Sequence, residues 1–255
     1  MAVPRLLDAL VPSALELAQD QYGNHVVQTL VKQAPGMVVP RLLDAVVPSA
    51  LELAQDRYGS HVVQALIEHG PTMAVPRLLD ALVPSALELA QDQYGNHVVQ
   101  TLVKQAPGMV VPRLLGALVP NALELAQDRY GSHAVQALVK QAPGMAVPRL
   151  LGALVPSALE LAQDRYGSHA VQALIEHGPT MAVPRLLDAL VPSALELAQD
   201  QYGTYVVQAL LKHGPASLLP PLLNTLRPVA YALARHTYGK YVVSELRMHD
   251  AAFVS

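Results

Sequence analysis

MAVPRLLDALVPSALELAQDQYGNHVVQTLVKQAPG, residues 1–36, returns without a change at residues 73–108. Identity over that length points to recent duplication or deliberate design, and it sets the unit in which the rest of the chain is read. Blocks of the same plan begin at Met1, Met37, Met73, Met109, Met145, Met181 and Ser217. The 255 residues thus divide into seven units of 36 (1–36, 37–72, 73–108, 109–144, 145–180, 181–216 and 217–252) and a tail, 253–255. A fixed period of this size marks stacked repeats, each burying its apolar side against its neighbours. Residues 1–252 are therefore read as one repeat domain.

Each block carries three of the 21 prolines. The ring removes a backbone donor and blocks the preceding turn, so prolines at this spacing exclude long helices and central strands. In the first block Pro4 suits the first turn of a helix running through Arg5, Leu6, Leu7, Asp8, Ala9 and Leu10, and Pro12 interrupts it. Residues 14–18 make a second short helix. Asp20 is placed to cap a third, over 21–32, in which Tyr22, Val26 and Leu30 recur at i, i+4 and i+8 as a core-facing stripe. Pro35-Gly36 closes the unit. No segment alternates apolar and polar residues between hairpin turns, so strands are not expected. The expected fold is all-α, a curved solenoid of seven three-helix repeats. The seventh block, SLLPPLLNTLRPVAYALARHTYGKYVVSELRMHDAA, keeps the spacing but loses much of the sequence, as befits a terminal cap with one side facing water.

Composition narrows the function. With no cysteine, disulfides, thiol nucleophiles and thiolate metal sites are all excluded. No apolar stretch approaches the roughly 20 residues of a membrane span, and no basic segment precedes a signal-peptide core. A membrane is not an expected partner. The net charge is −3, from 17 basic and 20 acidic residues. Lys32, Lys104, Lys140 and Lys212 are offset at equivalent positions by Glu68 and Glu176, so any nucleic acid would be held with little help from phosphate attraction.

The third helix also carries a polar face. Asn24 and Gln28 stand at i and i+4, with His25 on the flank between them and Lys32 one turn on. Stacking the units turns this face into a ladder with one rung per repeat, a shape suited to an extended, periodic ligand.

The strings DQYGNHVVQ (residues 20–28), DRYGSHVVQ (56–64) and DQYGTYVVQ (200–208) closely resemble the base-reading helix of Pumilio-type (PUF) RNA-binding repeats, and the likeness runs through all seven blocks. The resemblance implies three helices per repeat. It also implies a reading motif whose first and fifth residues contact a base edge while the second stacks, one base per repeat, on single-stranded RNA running antiparallel to the protein. Chemistry supports the pairs: two amides complement the acceptor, donor, acceptor edge of uracil, whereas one amide beside a small serine suits adenine. The family pattern then gives uracil at Asn24/Gln28 and Asn96/Gln100. It gives adenine at Ser60/Gln64, Ser132/Gln136 and Ser168/Gln172. Stacking falls to His25, His61, His97, His133 and His169. Thr204/Gln208 departs from the usual pairs, although Tyr205 could stack. Lys240, Tyr241 and Ser244 lack the reading glutamine, which leaves stacking by Tyr241 and a phosphate contact by Lys240. The implied core is 5′-NAAUAU-3′, within an A/U-rich RNA. Post-transcriptional regulation in the cytoplasm is the implied setting, with nucleus or nucleolus as the alternative.

Other readings are weaker. The histidines come one per repeat without an HxxxH companion, so neither a metal nor another cofactor is expected. The tyrosines from Tyr22 to Tyr202 read as packing residues and the aspartates as caps, and no paired acids, phosphate loop or nucleophile elbow argues for an enzyme. A scaffold binding an extended peptide or protein partner is the alternative function. Because similar families usually carry eight repeats with flanking caps, Leu6, Leu7 and Leu10 at the first block's edge lead to an expectation of truncation or end-to-end self-association.

Overall fold

Asp92 shows how the sequence breaks one repeat into separate helices. The computed structural model describes residues 10–33, 35–178 and 181–249. In the third repeat a first helix, Ala74–Leu82, runs into a 3-10 turn at Val83–Ser85, then a second helix, Ala86–Gln91, then a third, Gly95–Gln105. Pro84 opens the 3-10 turn and cannot continue the preceding helical hydrogen bonds. Asp92 ends the second helix in an extended conformation, φ −81° and ψ 144°. Its Oδ1 accepts the backbone N–H groups of Tyr94 and Gly95 at 2.8 and 2.7 Å, satisfying donors that the next helix cannot use internally. Asp20, Asp56, Asp128, Asp164 and Asp200 do the same. The third helix therefore begins at Gly23, two residues later than the sequence pattern places it.

The chain forms two compact units, residues 1–118 and 119–255. In the first, the third helices Gly23–Gln33, Gly59–His69 and Gly95–Gln105 lie against one another in chain order. In the second, Gly131–Gln141, Gly167–His177, Gly203–His213 and Gly239–Met248 do so. All described elements are helices or turns, and no strand occurs among the described residues. Leu78, Leu79 and Leu82 of a first helix, Leu89 and Ala90 of a second, and Val98, Val99 and Leu102 of a third are buried together. Each such leucine or valine contributes about 1.5–3 kcal/mol by leaving water.

Two joints link successive repeats. At Gln105-Ala106-Pro107-Gly108, Ala106 turns the chain (φ −142°, ψ 58°) and Pro107 is already the first residue of the next helix, Pro107–Leu118. Pro35 and Pro143 likewise start helices. The Pro-Gly pair thus opens a unit where the sequence reading has it close one, because proline's fixed φ and missing donor suit a helix's first position. Pro40, Pro112 and Pro148 then fall inside helices, leaving the carbonyls of Gly36, Gly108 and Gly144 without an i+4 donor, and these glycines are exposed to water. At the other joint, Gly70 is extended (φ −71°, ψ 164°) and the next helix starts only at Ala74. Here Pro76 does sit in the first turn.

The stripe through Tyr22, Val26 and Leu30 differs from expectation. Tyr22 is 75% and Val26 46% exposed. Leu30 is half-buried; one repeat on, Tyr58 is half-buried while Val62 and Leu66 are fully covered, helix Gly23–Gln33 packing against Gly59–His69. The cover comes from the third helix of the preceding repeat, and among the described residues no third helix precedes Gly23–Gln33. Leu10 is half-buried, whereas Pro4 and residues 5–9, including Leu6 and Leu7, lie outside the described residues. Residues 143–163 also reach the length and hydropathy of a membrane span, contrary to the sequence estimate, with 44% of the apolar window buried. They form two helices separated by a 3-10 turn, with Arg149 and Glu160 exposed among them.

Polar ladders brace the outside of the stack. Gln19 donates to Glu52 at 2.8 Å and Gln163 to Glu196 at 2.7 Å, each pair linking second helices of successive repeats. Arg77 pairs with Asp44 at 2.8 Å and Arg113 with Asp80 at 2.6 Å between first helices. Gly152 interrupts this second ladder below Arg185. A β-carbon on Gly152 would meet nothing within 4 Å. Gly152→Asp should raise the melting temperature by a few degrees, chiefly through about 0.5 kcal/mol of helix propensity plus a new surface pair with Arg185. An unchanged or lower value would show that the ladder does not extend through this repeat. Gly95 is the opposite case: a β-carbon there would come within 2.5 Å of the Leu89 carbonyl oxygen. Gly95→Ala should destabilise by about 1–3 kcal/mol, measured by denaturant unfolding.

Candidate nucleic-acid interface

The aspartate cap fixes where the polar rungs stand. With Asp20 holding the turn, Asn24 lies in the first turn of the third helix and its side chain folds back over the cap. Asn24 Nδ2 donates to the carbonyls of Asp20 and Gln21, each at 2.9 Å. Only the NH2 group can face two carbonyls, so Oδ1 points along the helix to its partner in the same rung, accepting Gln28 Nε2 at 2.8 Å. Asn96 repeats the pattern, donating to Asp92 and Gln93 and accepting from Gln100 at 2.8 Å.

The pairs are therefore adjacent, as the i, i+4 spacing requires, but unequal. Asn24, Ser60, Asn96, Ser132, Ser168 and Thr204 are all buried, at 1–2% exposure. Gln28, Gln64, Gln100, Gln136, Gln172 and Gln208 are half-buried and carry the accessible edge. The i, i+4 spacing puts both on the polar face of the helix. The structure closes the first against backbone: Asn24 Nδ2 shares the Asp20 carbonyl with the Asn24 N–H, at 2.9 and 3.2 Å, and also reaches the Gln21 carbonyl.

The buried residue also decides where its glutamine docks. In repeats with serine, the hydroxyl donates to its own turn, as Ser132 Oγ does to Arg129 O at 3.2 Å and Ser168 Oγ to Arg165 O at 3.3 Å. Gln64 and Gln172 then donate to the backbone oxygens of Ser60 and Ser168, at 3.2 and 3.1 Å. Asparagine and serine thus give the same glutamine two different anchors. Thr204 behaves otherwise: its hydroxyl reaches across to the carbonyl of Tyr238 in the next repeat at 3.2 Å, while Gln208 donates to the Thr204 backbone. Its side chain links repeats.

His25, His61, His97, His133 and His169 are all exposed beside these glutamines, and Tyr205 and Tyr241 are 55% and 49% exposed. Flat rings flank every rung. Lys240 is exposed with its ammonium 5.0 Å from the Tyr241 ring centre, and Ser244 is open to water. The tyrosines of the YG pairs from Tyr58 to Tyr202 are half-buried, Tyr22 being the exposed exception. Backbone N–H groups, of Gly23 first and Tyr22 next, hold the Asp20 carboxyl below its usual range. Among the described residues, no three histidines or carboxylates converge as metal ligands.

Two features escaped the sequence reading. Arg57, Arg129 and Arg165 lie over the rings of Tyr58, Tyr130 and Tyr166 at 5.2–5.4 Å, so the serine repeats carry an extra cation at the head of the third helix. The pairing of Arg with Ser in DRYGSH, against Gln with Asn in DQYGNH, was visible in the sequence. The buried Thr101, whose hydroxyl donates to His97 O at 2.8 Å, also lies 3.5 Å from Gln64 Oε1 of the preceding repeat. No single-repeat pattern signals that contact.

Among solved structures, this chain is similar to PUF-8, determined in complex with PBE-RNA, with a TM-score of 0.89 and 23% identity over 96% of this chain and 74% of that one. The Puf3 RNA-binding domain bound to a Cox17 RNA site gives 0.86 and 23%, over 96% and 73%. The Puf4 domain bound to HO endonuclease RNA gives 0.86 and 22%, over 94% and 75%. At such identities the likeness concerns the fold. No curated protein sequence matches the chain. The family model of the Pumilio-family RNA-binding repeat matches residues 13–47, 49–83, 85–115, 121–151, 157–191 and 193–224. Each of the six matched segments starts near a second helix, and together they span most of the sequence, so the chain belongs to the Pumilio (PUF) family of RNA-binding repeat proteins.

Proposed function

We propose that this protein binds single-stranded RNA sequence-selectively, one base per repeat and antiparallel, with the core 5′-NAAUAU-3′, and performs no catalysis. The observation that carries this reading is a half-buried glutamine amide beside an exposed flat ring in each of six successive repeats, docked on a buried neighbour in five of them. A plane and a hydrogen-bonding edge at right angles to it are what recognition of an unstacked base needs. The structures it resembles include RNA-bound PUF-8, Puf3 and Puf4.

Reading by the pair follows from the two anchors. With Asn24 the glutamine donates to a side-chain amide, and with Ser60 to the backbone, so the free donor and acceptor of Gln28 and Gln64 are presented differently. Stacking on histidine supplies about 1–3 kcal/mol per base without selecting it. A net charge of −3 keeps the phosphate contribution small, and the salt dependence of core binding shallow.

Selection from a randomised RNA pool should enrich AAUAU; no enrichment over an unrelated polymer would defeat the base code. In Asn24→Ser, Gln28 loses its side-chain acceptor and should dock on the backbone as Gln64 does. The preference at the 3′ base should then move from uracil toward adenine by about tenfold, a shift of roughly 1.4 kcal/mol, while other positions hold. Equal loss at every base would show that Asn24 supports the turn and does not select.

A further inference from the structure

Helix Gly239–Met248 carries charged side chains at positions that the preceding third helix fills with apolar or small ones, although Val243, in register with Val207, stays buried. Val207 and Leu211 on helix Gly203–His213 are fully buried, because Gly239–Met248 packs beside that helix. One repeat later the residue in register with Leu211 is Arg247, and that in register with Thr204 is Lys240. Arg235 replaces Gln199, and Ala234, in register with the buried Ala198, is exposed. A groove of about 390 Å³ lies here, lined by Ala234, Lys240, Tyr241, Val243, Ser244 and Arg247. Lys240, Ser244 and Arg247 stand at i, i+4 and i+7 on one helix face, and Tyr241 offers a half-exposed ring under the Lys240 ammonium.

Residues 217–252 carry Arg227, Arg235, Lys240 and Arg247 against Glu245 and Asp250, a local charge of +2. The rest of the chain has 13 cations and 18 carboxylates, a charge of −5. An ammonium, a hydroxyl and a guanidinium lining one groove can all donate to an incoming anion such as a phosphate. Glu245 is the carboxylate on the same helix and is half-buried. The groove also sits one rung past Gln208, where an antiparallel strand would continue in the 5′ direction.

We infer that this groove is a phosphate anchor for the RNA backbone immediately 5′ of the core, gripping the strand without reading its bases. The inference rests on the RNA-binding reading. It places most of the phosphate attraction of a net acidic protein at one end of the ladder.

The test uses the full chain and three RNAs: the core, the core with two abasic nucleotides added 5′, and the core with two added 3′. Fluorescence anisotropy at 50 and 200 mM salt gives their affinities. The 5′ extension should strengthen binding, with a gain about sevenfold smaller at 200 mM than at 50 mM, from a slope of roughly 0.7 per phosphate for two phosphates. The 3′ extension should give no comparable gain. Lys240→Gln with Arg247→Gln should remove the 5′ gain, and Arg247→Glu should make the extension unfavourable. A gain that is salt-independent, equal at both ends or retained in the double variant overturns the anchor. The wild-type salt and end comparisons decide the matter even if the variants do not fold. Repeating the series on a scrambled core separates the two readings. Loss of core preference with a persisting 5′ gain sinks the base code alone, and core preference without a 5′ gain sinks the anchor alone.

Discussion

One carboxylate per repeat holds the architecture together. Where the second helix must stop and the third must start in a new direction, Asp20, Asp56, Asp92, Asp128, Asp164 and Asp200 each accept two backbone N–H groups. Such caps contribute about 1 kcal/mol each, but their geometric effect is larger. The cap sets the residue four positions on into the turn, and that residue positions the glutamine another four positions on. Gly95 and its equivalents follow from the same crossing, since the third helix leaves the turn too close to the second for a β-carbon. In the last repeat His236 Nδ1 takes the carboxylate's place with two longer bonds of 3.3 Å, and the residue four on is an exposed lysine in place of a buried amide or hydroxyl.

Much of this was legible because it is local or periodic. Three prolines per 36 residues limited helix length, Asp20 announced its own cap, and Asn24 and Gln28 had to be neighbours at four residues' spacing. What escaped depends on contacts between turns or between repeats. Pro35-Gly36 reads equally well as an ending or a beginning, and only the coil at residues such as Ala106 decides that proline starts the next helix. Asn24 looks like a solvated side chain until its NH2 group folds back onto the Asp20 and Gln21 carbonyls. The Tyr22, Val26 and Leu30 stripe is apolar in every repeat, yet its burial depends on the preceding third helix, which sequence periodicity does not display.

Charge makes sense in the same frame. On the proposed reading, a weak general attraction favours selectivity, because phosphate contacts add affinity to every sequence alike. Exposed Glu68 and Glu176, at positions held elsewhere by lysine, keep that attraction low along the ladder. Each has a histidine nitrogen of its own repeat 3.7 Å away, His69 and His177, so these carboxylates gain cationic partners only when the imidazoles are protonated. Residues 217–252 carry a net positive charge, whereas along the other repeats cations such as Arg57, Arg129 and Arg165 are outnumbered by carboxylates.

The rungs are also not independent modules. Repeats two and five present the same pair, Ser60/Gln64 and Ser168/Gln172, and both glutamines donate to the serine backbone. The neighbours differ: the buried Thr101 hydroxyl lies against Gln64, whereas the equivalent residue beside Gln172 is Ala209. The Thr101 hydroxyl donates chiefly to His97 O at 2.8 Å and secondarily, at 3.5 Å, to Gln64 Oε1, while Gln64 Nε2 donates to Ser60 O. Ala209 offers Gln172 no such group. Two identical serine–glutamine pairs thus stand in different polar surroundings, and the environment of each glutamine extends from one third helix into the next.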